Sequence, residues 1–318
     1  MRIGIDLGGT NIAAGLVDEK PGIVLQNSVK TPQGAKAAAQ EMAVLAHSLC
    51  AEAGIRLQDI ESVGIGSPGA IDSRSGMVVY SNNLEYSNVP LAAMLSEQIG
   101  LPVRIGNDAN AAALGEYHGG AGRRAAAGND TTPPFSSMIL VTLGTGVGGG
   151  IIVNGSIYDG FNGMGGEVGH MVIEVDGASC TCGRNGCWEA YASATGLIRL
   201  TKKAMECHPD SLMHSITAEK GKISGRTAFL AARKGDPAGD AVVETYCKYL
   251  AIGTANLINL FQPAMFCFGG GVSNEGQLLI DRLRPLLAPE LYTVGDKRTS
   301  LCLAQLGNAA GIIGAALL

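Results

Sequence analysis

The chain has 318 residues, 46% of them apolar and 16% charged, with 46 glycines and a net charge of −5 at neutral pH. That length and apolar fraction suit two domains of ordinary size and exclude a disordered or coiled-coil chain. An acidic balance without a basic run excludes a nucleic-acid partner, and no apolar run reaches membrane-spanning length, so a cytoplasmic protein without a signal peptide is expected.

At the start, Ile3 and Ile5 alternate with small or polar residues, Asp6-Leu7-Gly8-Gly9-Thr10-Asn11 follows, and residues 12–17 resume the alternation. Period-two patterning on both sides of a Gly-Gly turn predicts a hairpin. Residues 35–53 are Ala-rich without Gly or Pro and predict a helix, residues 60–66 a strand, 91–99 a helix and 103–105 a strand. Residues 119–134 read as a loop or linker. Residues 138–153 repeat the opening plan, with Gly144-Thr145-Gly146-Val147-Gly148-Gly149-Gly150 between two apolar runs. Residues 240–261 form a long helix that stops before Pro263. A third glycine run, Gly269-Gly270-Gly271, follows a short strand and precedes a helix starting near Glu275. The alternation of elements is α/β.

The two hairpins carry the first chemical signal. Glycine lets the backbone approach an anion, and successive N–H groups form a donor nest for phosphate. One such turn is as readily structural. The pair, with matching Thr10 and Thr145, points to a nucleotide such as ATP held by Gly8, Gly9, Thr10, Asn11, Gly144, Thr145 and Gly146. Asp6 would carry Mg²⁺ or its water shell, because Mg²⁺ binds few carboxylates alongside phosphate oxygens. Gly269 and Gly270 would seat the adenine and ribose.

Asn107-Asp108-Ala109-Asn110 follows a strand and opens a helix. Asp108 is then either an N-cap or a general base for a hydroxyl that receives a phosphoryl group. Further on, Gly166-Glu167-Val168-Gly169-His170 precedes Cys180, Cys182 and Cys187. One imidazole and three thiolates make a closed Cys₃His zinc site, against a plain reading as reduced thiols. The other five cysteines, Cys50, Cys207, Cys247, Cys267 and Cys302, lie in apolar surroundings and are expected as buried thiols. Closing the loop on zinc would position Glu167 and Glu189, carboxylates suited to sugar hydroxyls.

With these motifs in order along essentially the whole chain, the sequence resembles the ROK family of repressors and sugar kinases, and within it the bacterial glucokinases. Gly66-Ser67-Pro68-Gly69, Leu143 with the second hairpin, Cys180-Thr181-Cys182-Gly183-Arg184-Asn185-Gly186-Cys187 and Glu189 add to the match. The resemblance implies an actin-like ATPase (ribonuclease H-like) fold of two similar α/β domains around a cleft. The smaller domain would comprise residues 1–107 with 307–318, and the larger residues 108–306. It implies phosphorylation of a hexose at its 6-hydroxyl by Mg·ATP, glucose being the first choice, with Asp108 as base. Gly69, Asn107, Glu167, His170 and Glu189 would line the sugar, His170 using its other ring nitrogen on zinc. Fructose, allose, N-acetylmannosamine and N-acetylglucosamine stay open as substrates, the more so because Tyr86 stands where many relatives carry Trp. A sugar-sensing regulator is the other class; it would need a DNA-binding module ahead of the hairpin at residue 3. The family also implies a homodimer or homotetramer, and residues 123–137 read as a surface insertion.

Overall fold

The computed structural model describes residues 1–124, 135–292 and 299–318. Most of the expected insertion therefore lies outside the described residues, including its Asn129–Pro134 run. The strands are β1 (Arg2–Leu7), β2 (Asn11–Val17), β3 (Ile23–Lys30), β4 (Val63–Ser67), β5 (Ala70–Asp72), β6 (Met77–Ser81), β7 (Tyr86–Val89), β8 (Val103–Asn107), β9 (Met138–Leu143), β10 (Val147–Val153), β11 (Ser156–Ile157), β12 (Met265–Gly269) and β13 (Ser300–Leu303). The helices are α1 (Ala35–Ala53), α2 (Leu91–Ile99), α3 (Asp108–Gly119), α4 (Ala121–Arg124), α5 (Glu189–Ala192), α6 (Ala194–Cys207), α7 (Leu212–Lys220), α8 (Thr227–Arg233), α9 (Pro237–Phe261), α10 (Gln277–Leu287) and α11 (Ala309–Ala316). Among the described residues no helix is long and apolar enough to cross a membrane.

One sheet has the order β3-β2-β1-β4-β8 and another the order β11-β10-β9-β12-β13. Counted along the chain, each sheet reads third, second, first, fourth, fifth. The sequence duplication of the two hairpins is thus a duplication of topology, as a ribonuclease H-like fold requires. In the first sheet β2 is antiparallel to β1 and β3, while β4 and β8 run parallel to β1. A small antiparallel sheet of β5, β6 and β7, unmarked by any reading of the sequence, joins it.

The chain divides into two compact units. One comprises Met1–Leu140, Gly150–Gly166 and Ala304–Leu318, the other Val141–Gly149 and Glu167–Leu303. The boundary expected between residues 107 and 108 is displaced, because α3 packs with α11 inside the first unit. The reason is a seam of glycines. Gly4 and Gly64 are cross-strand partners on β1 and β4, and a Cβ on either would overlap a carbonyl oxygen of α11 (Ile312 and Ala315 respectively). Gly115 of α3 and Gly314 of α11 are pressed against Ala310 and Ala111 in the same way. These four glycines therefore serve close helix–sheet and helix–helix contact rather than ligand turns. Replacing Gly64 by Val is expected to lower unfolding stability by about 3 kcal/mol, since the obstacle is backbone that cannot repack. Urea denaturation reads this directly; an unchanged midpoint would contradict the seam.

The core of the first unit is built from Ile3, Ile5 and Leu7 of β1 against Ala38, Met42, Ala46 and Leu49 of α1. Residues spaced three and four apart put one face of α1 on the sheet, and Gly54 ends the helix in the left-handed conformation. In the second unit Trp188, Phe229, Tyr246, Phe266 and Phe268 are fully buried. Helix α9 starts earlier than expected, with Asp236 as N-cap and Pro237 in its first turn. Helix α10 starts at Gln277 because a 3₁₀ turn over Gly271–Glu275 precedes it. Of the scattered thiols, Cys50, Cys247 and Cys267 are buried, but Cys207 is exposed and Cys302 only half-buried. Cys207 ends α6 beside exposed residues, and Cys302 lies on β13, the last strand of its sheet.

Candidate functional site

In the first unit, β1, β4 and β8 run parallel and end side by side. Register sets Asp6 opposite Gly66, Gly66 opposite Gly106, and Ser67 opposite Asn107. The carboxyl ends of such strands are where open α/β sheets bind ligands. Three of the sequence motifs, far apart in the chain, thus meet in one row. Gly69 follows β4 with φ 111°, and a side chain there would overlap the Tyr80 carbonyl, so glycine is required at that turn.

Asp108 does not cap its helix. Asn107 does: its Oδ1 accepts from the N–H of Ala109 at 2.9 Å and of Asn110 at 3.2 Å, and its Nδ2 donates to the Gly69 carbonyl at 3.1 Å. One amide N–H of Asn107 is left for a further partner. Asp108 is the first helical residue, and its Oδ1 accepts from Ala109 N–H at 2.8 Å. Burial raises its carboxyl above the ordinary range, partly offset by backbone N–H groups. Asp6 is pushed up to about 6, first by burial and then by the Asp108 charge.

Two carboxylates held this way should make the ligand-free protein more stable in mild acid. An acid with a raised folded pKa binds more protons folded than unfolded, so stability falls as pH rises from about 4 to about 6. For Asp6 the full span amounts to about 3 kcal/mol. Thermal melts between these pH values should show the trend, and Asp6→Asn should flatten it. An Asp6→Asn protein with the wild-type slope would contradict this assignment.

The first hairpin turn is closed by Gly8 N–H to the Asn11 carbonyl at 2.9 Å and by Thr31 Oγ1 to the Gly8 carbonyl at 2.6 Å. The Gly8 N–H is therefore spent on the turn, and Gly9, Thr10 and Asn11 form its exposed tip. Tyr86 is buried on β7, and among the described residues its hydroxyl has no hydrogen-bond partner.

In the second unit the turn Gly144-Thr145-Gly146 is held from the α5–α6 junction. Ala194 N–H donates to the Gly144 carbonyl at 2.8 Å and Thr195 Oγ1 to the Thr145 carbonyl at 2.8 Å. Glu189 Oε2 accepts from Val147 N–H at 2.9 Å. The other oxygen of Glu189 receives Thr181 Oγ1 at 3.3 Å and the Cys180 thiol at 3.5 Å. Sequence reasoning assigned Glu189 to the sugar alone and missed that it ties the hairpin to the cysteine loop. It also missed Thr195 and the anchor Trp188, which is fully buried and donates from Nε1 to the Tyr249 carbonyl at 2.9 Å. Gly269 ends β12 and Gly270 follows it, where a side chain would press on the backbone of Leu143.

His170, Cys180, Cys182 and Cys187 come together, their ligand atoms all within 4.8 Å of one another. A knuckle of backbone bonds presents the thiols: Cys180 N–H to Arg184 at 2.8 Å, Gly183 N–H to Cys180 at 3.0 Å and Gly186 N–H to Ala178 at 2.8 Å. His170 Nδ1 lies 3.6 Å from Cys180 Sγ, and Cys182 Sγ lies 3.7 Å from Cys187 Sγ. Tetrahedral zinc with ordinary bond lengths needs donor separations of about 3.6 Å between nitrogen and sulfur and about 3.8 Å between sulfurs. The residues fit a closed four-ligand centre. Burial pushes the Cys180 thiol up to about 12 and raises Cys187, whereas the backbone N–H of Arg184 lowers Cys182, so Cys180 and Cys187 hold a thiolate poorly unless a cation compensates it. Nδ1 faces the sulfurs, which leaves Nε2 of His170 for another partner. Glu167 precedes the 3₁₀ turn Val168–His170, and His170 N–H donates to its carbonyl at 3.1 Å.

Residues 2–318 match the ROK family, so the chain belongs to it. A glucokinase of Streptomyces coelicolor is 36% identical over 325 residues, covering 99% of this chain and 96% of that protein. A xylose repressor of Caldicellulosiruptor bescii is 31% identical over 256 residues, covering 80% of this chain and 61% of that protein. The crystal structure of a ROK family glucokinase from Streptomyces griseus, in complex with glucose and AMPPNP, superposes with a TM-score of 0.80 at 36% identity, covering 99% and 97% of the two chains.

Proposed function

We propose that this ROK-family chain is a sugar kinase that transfers the γ-phosphoryl group of ATP to the 6-hydroxyl of glucose. The observation that carries the reading is the division of labour at the start of α3. Asn107 performs the capping, and Asp108 is left as a half-buried carboxyl whose proton affinity desolvation raises. A base with raised pKa at the carboxyl end of a parallel strand suits proton removal from an alcohol near neutral pH. The relatives named glucokinases, similar over nearly their whole length, support glucose as the acceptor.

In this reading Asp108 accepts the proton of the 6-hydroxyl as that oxygen attacks in line. The free N–H of Asn107, with Gly69, Glu167, Glu189 and Nε2 of His170, orients the remaining hydroxyls. The hairpin tips at Gly9–Asn11 and Gly144–Gly146 receive phosphates through backbone N–H groups, and Gly269 and Gly270 line the nucleoside. Mg²⁺ bound with the nucleotide would neutralise phosphate charge, and Asp6 is the carboxylate suited to its shell. Zinc would be structural, held by His170, Cys180, Cys182 and Cys187, because four protein ligands leave no open position.

The regiochemistry is tested by two-dimensional phosphorus–proton NMR of the product. A phosphorus resonance coupled to the C6 protons supports the reading, and coupling to the anomeric proton overturns it.

A further inference from the structure

Cys180, Cys182 and Cys187 lie within a stretch whose two ends are joined by one side chain. Tyr191 Oη accepts from Ala178 N–H at 2.7 Å, across 13 positions of sequence. Ala178 stands two residues before the first thiol. Its carbonyl accepts at 2.8 Å from Gly186 N–H, immediately before the last thiol. A backbone bridge between Ser179 and Asn185 lies inside that pair of bonds. None of these residues belongs to the donor set. The backbone that aims the sulfurs is therefore closed by groups that need no ion.

Tyr191 is itself held in place. It is 6% exposed on α5, and its N–H donates to the Trp188 carbonyl at 3.0 Å. The centre of its ring lies 4.4 Å from that of Tyr249, and the Arg199 guanidinium sits 5.6 Å from it. Arg199 Nη2 donates in turn to the Ala190 carbonyl at 2.7 Å. The space around the hydroxyl is kept open by glycine, since a Cβ on Gly177 would stand 2.2 Å from Oη. A fixed ring thus presents its polar tip at one point, and the start of the knuckle is bonded to that point.

We propose that Tyr191 is the positioning residue of the zinc centre: it holds the knuckle in its ligating shape before the ion arrives, so that zinc enters and leaves a folded chain; the presence of that ion rests on the function proposed above. Ordering a loop on binding weakens affinity, and a frame closed in advance avoids that loss. Without the hydroxyl, Ala178 N–H loses its acceptor, and the ion must order the knuckle itself.

The full chain is stripped of metal with a chelator under reducing conditions and titrated with cobalt(II), whose thiolate charge-transfer absorption reports ligation by sulfur. Tyr191→Phe keeps the ring and removes only the oxygen. Its dissociation constant for cobalt should rise about tenfold or more, the scale usual for groups that orient metal ligands. The melting temperature of the metal-free chain should stay close to wild type, because one local bond is lost. Gly177→Ala, which crowds the hydroxyl, should weaken cobalt binding as well, and by less once Tyr191 is replaced by Phe. In the metal-free wild type the single tryptophan, Trp188, should keep the blue emission of a buried indole beside an intact knuckle. Equal cobalt affinity in wild type and Tyr191→Phe overturns the proposal, as does red-shifted emission from the metal-free wild type. A lowered melting temperature with unchanged affinity makes Tyr191 a support of the fold alone. A wild type without the charge-transfer band fails at the zinc reading instead, and the role of Tyr191 falls with it.

Discussion

Asp108→Asn is expected to lower kcat for sugar phosphorylation by about 10²–10⁴, the usual scale for a positioned acid–base group, with sugar affinity changed less than about threefold. Asparagine has the same shape and keeps an oxygen for Ala109 N–H, so the first turn of α3 and the Asn107 cap are preserved. What disappears is the proton acceptor. The substitution has a second signature that misfolding would not produce. It removes a charge that raises the pKa of Asp6. The variant should therefore be at least as stable as wild type at neutral pH, and the acid-side stability gain should shrink. Steady-state kinetics, calorimetry with glucose and a pH series of melts check the three parts. Wild-type turnover would remove Asp108 from the base role, and loss of both turnover and stability would make it a structural residue.

Cys182→Ser is expected to lower bound zinc from about one ion per chain to under about a tenth, because a closed site depends on all four donors. The effect should travel. Thr181, which stands between two of the ligands, donates to the same carboxylate, Glu189, that accepts from Val147 N–H in the second hairpin. A loosened knuckle frees Glu189 and the imidazole of His170 together. kcat/KM for the sugar should fall about 10–100-fold, the cost usual when the surroundings of a metal site are disturbed. Burial of Trp188 next to Cys187 gives the loop a hydrophobic anchor independent of metal, so the variant should remain folded. Elemental analysis and kinetics on the same preparation read both effects. Full zinc with unchanged kcat/KM would contradict the coupling.

What the sequence revealed depended on how local each signal was. The hairpins, Asn107-Asp108 and the cysteine knuckle are contiguous stretches whose residue types have few uses, so their elements could be placed closely. Helices α1 and α2 matched their expected bounds because an uninterrupted run of helix formers is bracketed by glycine or proline. The unread parts are relations between distant positions. Glu189 and Val147 are 42 residues apart, and nothing in either neighbourhood announces their bond. The Gly4–Gly64 floor under α11 looks, in sequence, like two strand glycines, and its missed meaning displaced the expected domain boundary. Strands β5, β6 and β7 are short, and exposed polar positions blur their alternation. The cap on α3 is Asn107, not Asp108, the residue weighed as either cap or base, although Asn immediately before the first helical position is itself a capping signal.

ADP release from Mg·ATP by the purified chain, measured against glucose, fructose, allose, mannose, N-acetylmannosamine and N-acetylglucosamine, decides whether the chain is a glucose kinase. Turnover is expected to require sugar, to be highest in kcat/KM for glucose and to fall about 10²–10⁴-fold in kcat with Asp108→Asn. Silence across the panel, with glucose binding still seen by calorimetry, would contradict this and place the chain among the family's sugar-sensing members.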